Sequence, residues 1–502
     1  MTTTHDVPST VGAETLASLN PATGDLVARF PIASAADVRA AVERARPAAL
    51  WWAELGFAGR KTRLRTWRAI LATRIDELAD LIHRENGKPE LDAVGEIAVA
   101  VQHLDWAAGA AKKVLGRRRV HSGLLAAEQS AHLEYRPYGV VGVIGPWNYP
   151  VHTPLGSISY ALAAGNAVVF KPSEYTPAIG QWLIDAFAEV VPEQPVLQLV
   201  AGYGATGNAL CTAGVDKLAF TGSSVTARRV MAACAEDLTP VVIECGGNDA
   251  LVVAEDADLD RAAEATVWGG LSNAGQTCAG VERVYAVDSV YEEFVSRVAE
   301  RAAASRGGAD PSADFGPITM PGQVEIIRGH IDAALAAGGR AVVGGPESVR
   351  EPYVQPVVLV DVPHDNPANQ DETFGPTITI TKVRDIDEAV ALANDTRYGL
   401  GAAVFSAKRG REIADRLDSG CVSINSAISF AMVPALPFGG RRDSGFGRIH
   451  GADGLREFTW AHSVTSTRFP SPLKFASFER PANVRSRLTR LVKARWGRGV
   501  GG

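Results

Sequence analysis

A cysteine in a loop of small and polar residues and a glutamate at the end of an apolar run are the residues best suited to chemistry. Cys278 lies in the segment NAGQTCA, and Glu244 lies upstream in VIECGG. Such a loop can present a thiolate to a planar carbonyl carbon, and a carboxylate can activate the water that hydrolyses the resulting thioester. Asn148, in GPWNYP, can donate a hydrogen bond to the oxyanion that develops during the attack. Together the three residues predict a covalent site that oxidises aldehydes.

Each of these residues also has an ordinary structural role to weigh against the catalytic one. The other four cysteines, at positions 211, 234, 245 and 421, are expected to be inert core residues, as buried cysteines usually are. Cys278 differs because the residues before it, GQT, are small and polar. Taken alone, Asn148 would be a turn residue and Glu244 a cap or a salt-bridge partner. The catalytic interpretation depends on their occurring together.

Length and composition place the chain among globular enzymes. Its 502 residues are enough for two or three lobes, and 46% hydrophobic and 21% charged residues are typical of a soluble, ordered protein. A net charge of −6 gives no reason to expect nucleic-acid binding. The five cysteines form no C-x-x-C pair and no zinc or EF-hand pattern occurs, so neither a disulfide framework nor a metal site is expected. The sequence has no signal-peptide layout and no membrane-spanning apolar run, which favours a cytoplasmic location.

Two series of apolar runs alternate with helical stretches and predict the sheets that position these residues. Continuous apolar runs are typical of parallel strands buried on both faces, so the first series predicts a doubly wound α/β domain and the second another α/β domain. The strand candidates are residues 140–144, 167–170, 196–200, 217–220 and 241–243, then 250–253, 283–287, 377–383, 401–405 and 421–425. Apolar residues at helical spacing predict helices over 35–50 and 60–85.

Two strand-like segments and a basic tail fall outside both series. Residues 133–137 and 463–469 have no obvious partner in either sheet, and such strands often pair between subunits, so we expect a homodimer or homotetramer. From residue 480 to 502 the chain has seven basic and no acidic residues, with apolar residues at helical spacing. This segment is either a solvated tail or, as the weaker alternative, a contact with an anionic membrane surface or an acidic protein.

Seven motifs occur in the order found in one enzyme superfamily. They are PWNYP (146–150), KPSE (171–174), FTGS (220–223), ECGG (244–247), GQTC (275–278), ETFGP (372–376) and PFGG (437–440). Over roughly residues 15 to 465 the chain resembles the NAD(P)-dependent aldehyde dehydrogenase superfamily. The resemblance implies an aldehyde dehydrogenase-like α/β fold, whose parts are a Rossmann-type cofactor domain (1–119 and 138–246), an α/β catalytic domain (247–445), a small β oligomerisation arm (120–137 and 459–475) and the basic tail (480–502).

The resemblance also implies catalytic roles. Cys278 is the nucleophile, Asn148 holds the oxyanion together with the backbone N–H of Cys278, and Glu244 is the base that hydrolyses the thioester. Only a thiolate attacks, so we expect backbone amides or the cationic nicotinamide to lower the pKa of Cys278. A partly apolar cleft is expected to raise the pKa of Glu244. A glutamate at 244 marks the family's hydrolytic, non-acylating enzymes, so the expected product is a free carboxylic acid.

The expected cofactor is NAD, with NADP possible. The resemblance assigns cofactor contacts to Trp147, Lys171, Glu174, Gly204, Gly222, Ser223, Glu372 and Phe374. Glu174 can accept hydrogen bonds from both ribose hydroxyls and would repel a 2′-phosphate, which favours NAD. The segment GYGATG (202–207) matches a dinucleotide fingerprint but lacks the acidic residue about 20 positions later. The resemblance instead places the adenine near Gly204 and the pyrophosphate near Gly222 and Ser223, at a helix start.

Two positions depart from the family pattern. Ala227 stands where the G-S-x-x-x-G pattern has its second glycine, so its methyl group is predicted to crowd the cofactor or to move the helix. Asn248 stands where the family commonly has lysine, and it is given no catalytic role.

The substrate mouth is expected to be apolar. It should involve Tyr149, His152, Thr153, Gly156, Gln276, Thr277 and the loop 426–437. The loop is rich in apolar residues and no arginine closely flanks Cys278, which favours an apolar or aromatic aldehyde over a dicarboxylic semialdehyde. His152 is either a substrate contact or a structural histidine. Two alternatives stay open, an esterase or acyl-transfer enzyme on the same fold and a non-enzymatic, membrane-associated scaffold.

Overall fold

The protein is described by a computed structural model that covers residues 14–310, 312–471 and 473–497. The chain divides into two compact units. The larger unit contains the described residues up to Val114 together with Pro137–Thr459, and the smaller unit contains Leu115–Arg136 and the described residues from Trp460 onward.

The described residues form strands and α-helices in alternation along most of the chain. The strands are β1 (Thr15–Leu19), β2 (Leu26–Pro31), β3 (Arg118–Val120), β4 (Gln129–Pro137), β5 (Val140–Ile144), β6 (Ala167–Lys171), β7 (Leu197–Leu199), β8 (Lys217–Gly222), β9 (Val241–Cys245), β10 (Asp249–Val253), β11 (Val281–Val287), β12 (Arg340–Val343), β13 (Val349–Arg350), β14 (Tyr353–Val354), β15 (Val357–Val360), β16 (Thr377–Val383), β17 (Gly401–Phe405), β18 (Cys421–Ile424), β19 (Gly445–Phe446) and β20 (Thr459–Thr467). The helices are α1 (Ala35–Glu54), α2 (Gly56–Thr73), α3 (Ile75–Asn86), α4 (Glu90–Leu115), α5 (His152–Ala164), α6 (Pro177–Ala188), α7 (Gly204–Cys211), α8 (Ser224–Ala235), α9 (Leu259–Leu271), α10 (Asp288–Ala304), α11 (Pro321–Ala336), α12 (Pro367–Gln370), α13 (Ile386–Asn394), α14 (Gly410–Ala414), α15 (Gly451–Glu457) and α16 (Val484–Trp496).

The first sheet of the larger unit has the strand order β19-β9-β8-β5-β6-β7. Its strands are parallel except for β19, which pairs antiparallel with β9. Every residue of β5 and β6 is buried, as expected for strands covered by helices on both faces. The carboxyl ends of β5, β6, β8 and β9 lead into or carry the candidate residues, and this is the edge at which open α/β sheets bind ligands.

The second sheet of the larger unit has the order β12-β15-β16-β11-β10-β17-β18, parallel except for β12. Cys278 lies just before β11, and Phe374 lies just before β16. The two sheets confirm the doubly wound α/β fold predicted from the apolar runs. The helical spacing over 60–85 corresponds to two helices, α2 and α3, because the chain leaves helical geometry at Arg74 (φ −107°) and starts α3 with acidic residues in its first turn.

The smaller unit contains a three-stranded sheet of order β20-β4-β3. The strand predicted at 133–137 lies within β4, and the one predicted at 463–469 overlaps β20. Most of the basic tail forms α16, while residues 498–502 lie outside the described part of the chain. None of the described helices combines the length and the hydropathy that crossing a bilayer requires.

Candidate active site

The loop that carries Cys278 turns tightly between α9 and β11. Asn273, Ala274 and Gly275 follow one another with left-handed φ values of 53°, 56° and 72°. Gly275 is required because a Cβ atom at this position would lie 2.0 Å from the carbonyl oxygen of Gly375. The loop of small residues is therefore a close-packed turn that gives Cys278 a fixed position.

The prediction that Gln276 lines the substrate mouth is wrong. Its side chain is 1% exposed, and its amide group donates to the carbonyl oxygens of Asn273 (2.9 Å) and Pro317 (3.2 Å). Its Oε1 accepts a hydrogen bond of 2.8 Å from the backbone N–H of Thr319. A buried amide paired in this way holds the cysteine loop to the segment 317–319.

Asn148 lies against the cysteine loop. The side-chain Nδ2 of Asn148 donates to the backbone carbonyl oxygen of Gln276 (2.9 Å). The backbone carbonyl oxygen of Asn148 accepts from Asn273 Nδ2 (3.1 Å). The first of these bonds uses one of the two amide hydrogens. The backbone N–H of Cys278 donates to no acceptor among the described residues. Two donors are therefore left near the thiol for an oxyanion.

A buried ion pair that the sequence analysis missed positions Asn148. Lys88 forms a salt bridge with Glu96, and both side chains are fully buried. Lys88 Nζ also donates to the carbonyl oxygen of Asn148 (3.1 Å) and lies 3.9 Å from the ring centroid of Tyr149. Glu96 Oε1 accepts from the backbone N–H groups of residues 151 and 152 (2.8 and 3.0 Å). The only signal in the sequence was two opposite charges eight residues apart around a Gly-Lys-Pro turn.

Glu244 sits inside β9 with its carboxylate in a nearly closed space. The residue is 3% exposed and pairs in register with Gly445 on β19. Neither carboxylate oxygen has a hydrogen-bond partner, although the side chains of Cys278 and Thr221 approach closely enough to offset part of the pKa rise. Burial raises the pKa of Glu244 to about 7, as the sequence predicted. A carboxyl group of this pKa can accept a proton from water near neutral pH.

The expectation of a lowered thiol pKa is wrong for the protein without cofactor. Burial raises the pKa of Cys278 well above its usual value, and the nearby carboxylates of Glu244, Asp249 and Glu372 raise it further. A negative charge close to a thiol opposes its ionisation, because the thiolate would carry a charge of the same sign. The resting nucleophile is therefore a protonated thiol.

Glu282 is a second positioning residue that the sequence did not reveal. It is buried, and its two oxygens accept hydrogen bonds from the backbone N–H groups of Thr373 (2.8 Å) and Phe374 (2.9 Å). Glu372, at the start of the same loop, accepts a hydrogen bond of 3.1 Å from the backbone N–H of Gly247. These contacts fix the loop that carries Glu372 and Phe374 against β11 and against the segment that follows β9.

Apolar side chains surround the rest of the thiol. Cys278, Ile428 and Ala431 pack against a buried cluster formed by Ala279, Leu400, Cys421, Phe430, Phe438 and Ile449. Further along the loop 426–437, Met432, Val433 and Leu436 are exposed apolar residues. The surface next to the nucleophile therefore suits an apolar group.

Lys171, the last residue of β6, lies close to Glu174 in the loop that follows. Lys171 is buried, and its Nζ lies 3.9 Å from Glu174 Oε2, whose side chain is 35% exposed. Trp147 makes edge contacts with the rings of Phe374 (centroids 5.4 Å apart) and Tyr175 (6.5 Å). The residues assigned to the ribose and the nicotinamide therefore share one face of the first sheet's carboxyl edge.

The start of α8 has free backbone donors. Ser223 caps the helix, and its hydroxyl accepts from the N–H of Thr226. The N–H groups of Ser224 and Val225 donate to no acceptor among the described residues, and the first turn has no acidic residue. Ala227 is 3% exposed, and the effect of its methyl group on a cofactor at the helix start stays a prediction.

Gly204 begins α7 and is exposed, with no atom within 4 Å of the position a Cβ would take. In the same GYGATG segment, Gly202 has a φ of 153°, and a Cβ there would lie 2.1 Å from Thr206 Oγ1. Gly202 is therefore needed for the tight entry into α7, whereas Gly204 lies at the open start of this helix. Asn248, at the second departure from the pattern, donates to the carbonyl oxygen of Asn369 (3.0 Å).

The Aldehyde dehydrogenase family matches this chain over residues 8–464. The chain belongs to the aldehyde dehydrogenase family. This confirms the resemblance drawn from the seven motifs and identifies an oxidoreductase that acts on aldehydes with NAD(P). Family membership supports an enzyme over the non-enzymatic scaffold.

Individual relatives share most of the chain with this aldehyde dehydrogenase. The 4,4′-diapolycopene aldehyde oxidase of Methylomonas is 37% identical over 462 residues, covering 91% of this chain and 87% of the relative. A putative NADP⁺-dependent succinate-semialdehyde dehydrogenase of Mycolicibacterium smegmatis is 34% identical over 453 residues, covering 89% and 87%. Lactaldehyde dehydrogenase of Escherichia coli has a similar structure (TM-score 0.87, 29% identity, 91% of this chain and 96% of that chain). Betaine aldehyde dehydrogenase of Staphylococcus aureus, solved with NAD⁺, gives a TM-score of 0.87 at 27% identity, covering 94% and 98%.

The site of this aldehyde dehydrogenase fits a nicotinamide dinucleotide. The free N–H groups at the start of α8 suit a pyrophosphate. Burial raises the pKa values of Glu244, Glu372 and Asp249, and neighbouring carboxylates raise those of Glu372 and Asp249 further. A cationic ring bound beside these groups would favour their ionised forms. Both features are consistent with the contacts assigned from the motifs.

Proposed function

We propose that this aldehyde dehydrogenase oxidises an apolar aldehyde to the carboxylic acid through a covalent adduct on Cys278. The observation that carries the proposal is the convergence of a fixed thiol, two free hydrogen-bond donors and an unpartnered buried carboxylate beside an apolar surface. The donors are the second amide hydrogen of Asn148 and the backbone N–H of Cys278. The carboxylate is that of Glu244.

Each of these groups takes one step of the reaction. Cys278 loses its thiol proton to solvent as its Sγ attacks the carbonyl carbon, and the oxyanion formed as the C=O bond opens accepts hydrogen bonds from Asn148 Nδ2 and the Cys278 N–H. When bound, the cofactor would supply a positive charge that opposes the effect of the carboxylates on the thiol, and it would accept the hydride that leaves the adduct's carbon as the oxyanion re-forms the C=O bond of the thioester. Glu244 then takes a proton from water, whose oxygen attacks the thioester carbon. The C–S bond breaks, and the acid and the thiolate are released.

Activity measurements on variants test these roles. Cys278→Ala should abolish aldehyde oxidation, by at least about 10⁴-fold. Asn148→Ala should lower turnover about 10²–10³-fold, the usual loss for one oxyanion donor. Cys211→Ala, which changes a buried cysteine on α7, is the matched control and should keep its turnover. Aldehyde oxidation by the Cys278→Ala protein would overturn the covalent mechanism, and ester hydrolysis without aldehyde oxidation would select the esterase alternative.

The proposed substrate class rests on the apolar surroundings of Cys278. The Methylomonas relative is named for diapolycopene aldehyde and the Mycolicibacterium relative for succinate semialdehyde, which carries a second charged group. The Phe430 and Phe438 rings, whose centroids are 6.1 Å apart, favour the apolar class. Comparison of kcat/KM for long aliphatic, aromatic and carboxylated aldehydes tests this, and a preference for the carboxylated substrate would contradict it.

The proposed cofactor preference is NAD over NADP. The half-exposed carboxylate of Glu174 beside Lys171 would repel a 2′-phosphate. Glu174→Gln should raise the ratio of kcat/KM with NADP to kcat/KM with NAD by about 10-fold or more. Glu236→Gln, an exposed carboxylate on the far end of α8, is the control. An unchanged ratio would mean that residues other than Glu174 discriminate between NAD and NADP.

We further propose a homodimer or homotetramer assembled through the smaller unit, supported by the exposed edge strand β20. The cytoplasmic location expected from the sequence stays a proposal. The helix α16 carries most of the basic tail, and its contact with an anionic surface stays the weaker alternative to a solvated tail.

A further inference from the structure

Three histidines from separate parts of the larger unit meet beneath the substrate loop. His103 lies on α4, His152 is the first residue of α5, and His450 immediately precedes α15. One ring nitrogen from each residue lies within 4.8 Å of the other two. The ring centroid of His152 lies 5.2 Å from that of His103 and 5.3 Å from that of His450. The ring centroids of His103 and His450 are 3.9 Å apart. We call these residues the three-histidine cluster.

Four of the six ring nitrogens of this cluster are buried without a hydrogen-bond partner among the described residues. His450 is 2% exposed, and neither of its ring nitrogens has a partner among the described residues. The Nδ1 atoms of His103 and His152 are also buried and unpartnered. The one pairing is between His103 Nε2 and the carbonyl oxygen of Ala431 (3.0 Å), which places a hydrogen on Nε2 and leaves the lone pair on Nδ1. Buried polar atoms in native proteins nearly always have a hydrogen-bond partner, so this group of unpartnered ring nitrogens requires an explanation.

A neutral imidazole has a free lone pair at its unprotonated nitrogen, and this is the atom that binds a metal ion. A single water molecule has two hydrogens and cannot donate to three lone pairs, whereas one cation can accept all three.

We propose that the three-histidine cluster binds one divalent transition-metal ion of the zinc class. Metal–nitrogen bonds of about 2.0–2.1 Å in a tetrahedral site place ligand ring centroids ~5 Å apart, which two of the three pairs already satisfy. The His103 and His450 rings have to separate by about 1 Å to reach the same spacing. A site of nitrogen donors selects zinc, cobalt, nickel or copper over magnesium and calcium, which prefer oxygen. The fourth position is open to water.

A metal ion bound at the three-histidine cluster would stabilise the apolar wall beside Cys278 and would not take part in the reaction. His103 is tied to Ala431, and Ala431 packs on the apolar cluster beside Cys278. The ring of His450 lies 6.0 Å from that of Phe438, another member of that cluster. A metal ion that joins α4, α5 and the segment before α15 would therefore stiffen the apolar wall of the substrate pocket. This inference does not depend on the proposed reaction.

Metal titration of the untagged full chain tests the proposal. The protein carries the Cys278→Ala change so that the thiol cannot bind metal, is freed of metal by chelation and is then titrated with Zn²⁺ or Co²⁺. We expect one equivalent to bind, a rise in the thermal unfolding midpoint, and the visible absorption of tetrahedral Co²⁺ with nitrogen ligands. No binding of either ion at millimolar concentration, or a Co²⁺ spectrum of octahedral type, would overturn the proposal.

Variants locate the binding. His450→Asn and His152→Asn should each weaken Zn²⁺ binding at least about 100-fold. His121→Asn, which changes an exposed histidine of the smaller unit, is the matched control and should bind as the parent does. Binding of one equivalent at parental affinity in both cluster variants would place the metal elsewhere and overturn the assignment. If a cluster variant unfolds, the Co²⁺ spectrum of the parent still decides the question, because it reports the donor set directly.

Discussion

Burial acts on Cys278 and Glu244 in the same direction, with opposite consequences for catalysis. It raises the pKa of the thiol, which suppresses the nucleophile in the resting protein. It raises the pKa of the carboxyl group to about 7, which makes Glu244 a stronger base than an ordinary glutamate while leaving it largely ionised above neutral pH. Burial of the site therefore favours hydrolysis of the acyl-enzyme by Glu244. Attack by the Cys278 thiolate depends on a positive charge, such as that of the bound cofactor, to favour ionisation of the thiol.

Replacing Glu244 by Gln should separate acylation from hydrolysis. With a chromogenic ester, which needs no cofactor, the Glu244→Gln protein should release one equivalent of product in a burst. Steady turnover should then be about 10²–10⁴-fold slower than in the parent, because no base activates the water. Glu236→Gln is the control. Steady turnover of the variant at the parental rate would show that Glu244 is not the base.

The pH dependence of the same reaction follows from the raised pKa. Glu244 must be ionised to accept a proton, so the active form is present above its folded-state pKa and is lost as pH falls through about 7. Where hydrolysis limits turnover, the rate should fall about tenfold per pH unit below that midpoint. Glu244→Gln should lose this dependence. A midpoint near 4 in the parent would mean that the carboxyl group is solvated in solution.

At the scale of elements, the loop between β5 and α5 is held by charges that come from the junction of α3 and α4. Lys88 reaches the carbonyl oxygen of Asn148, and Glu96 reaches the two backbone N–H groups at the start of α5. The pair is buried, so each partner depends on the other. The oxyanion donor is therefore positioned by residues far from it in sequence.

Lys88→Met should be destabilising, because it leaves the Glu96 carboxylate buried without its partner. The expected loss in the free energy of unfolding is about 3–5 kcal/mol, measured by urea denaturation. Lys88→Met with Glu96→Leu should recover part of this loss but not the turnover, since Asn148 still lacks its support. Arg84→Met, which breaks an exposed pair with Asp80, is the control and should cost under about 1 kcal/mol. A stable and fully active Lys88→Met protein would contradict this account.

Ala227→Gly tests whether the departure from the family glycine affects the cofactor. Ala227 is buried, and the free N–H groups at the helix start belong to Ser224 and Val225. The change should therefore cost about 1 kcal/mol of stability, as glycine does inside a helix, and leave the Kd of NAD within about twofold. Calorimetric titration measures the affinity. A markedly tighter Kd in the variant would support the prediction of crowding.

Strands that contain a continuous run of apolar residues could be predicted from the sequence, and strands without such a run could not. The predicted strands at 377–383 and 401–405 match β16 and β17, because continuous buried apolar runs are a strong signal. The strand β12 was missed because it lies at a sheet edge and is largely half-buried. The strands β13 and β14 have two residues each, too few for any period to show.

The same distinction holds within the candidate site. Cys278, Glu244 and Asn148 could be proposed from the sequence because each sits in a motif of its own. The roles of Lys88 and Glu282 were not found, since a buried charge is recognised only by partners that are distant in sequence. The raised pKa of Cys278 depends on carboxylates from different segments, and no local pattern contains them.

At the scale of the whole molecule, the smaller unit presents an edge that the described chain does not cover. β20 is nine residues long and lies at one edge of its three-stranded sheet, and seven of its residues are exposed. Trp460 and Val464 on this strand are 41% and 38% exposed. Long edge strands with exposed apolar residues pair with other chains unless they are protected. A second copy of this chain is the partner that best explains this edge.

Charged substitutions on β20 should therefore dissociate the oligomer. Trp460→Glu together with Val464→Glu places like charges on an edge that two copies would share, where they repel and remove apolar contact. Light scattering after size exclusion should show the mass falling from that of a dimer or tetramer to that of the 53.0 kDa chain. Val492→Glu with Trp496→Glu makes a matched change on exposed residues of α16 and should leave the mass unchanged. If only the α16 variant dissociates, the basic tail and not the edge strand holds the subunits together. A monomeric parent protein would show that β20 does not pair with a second copy.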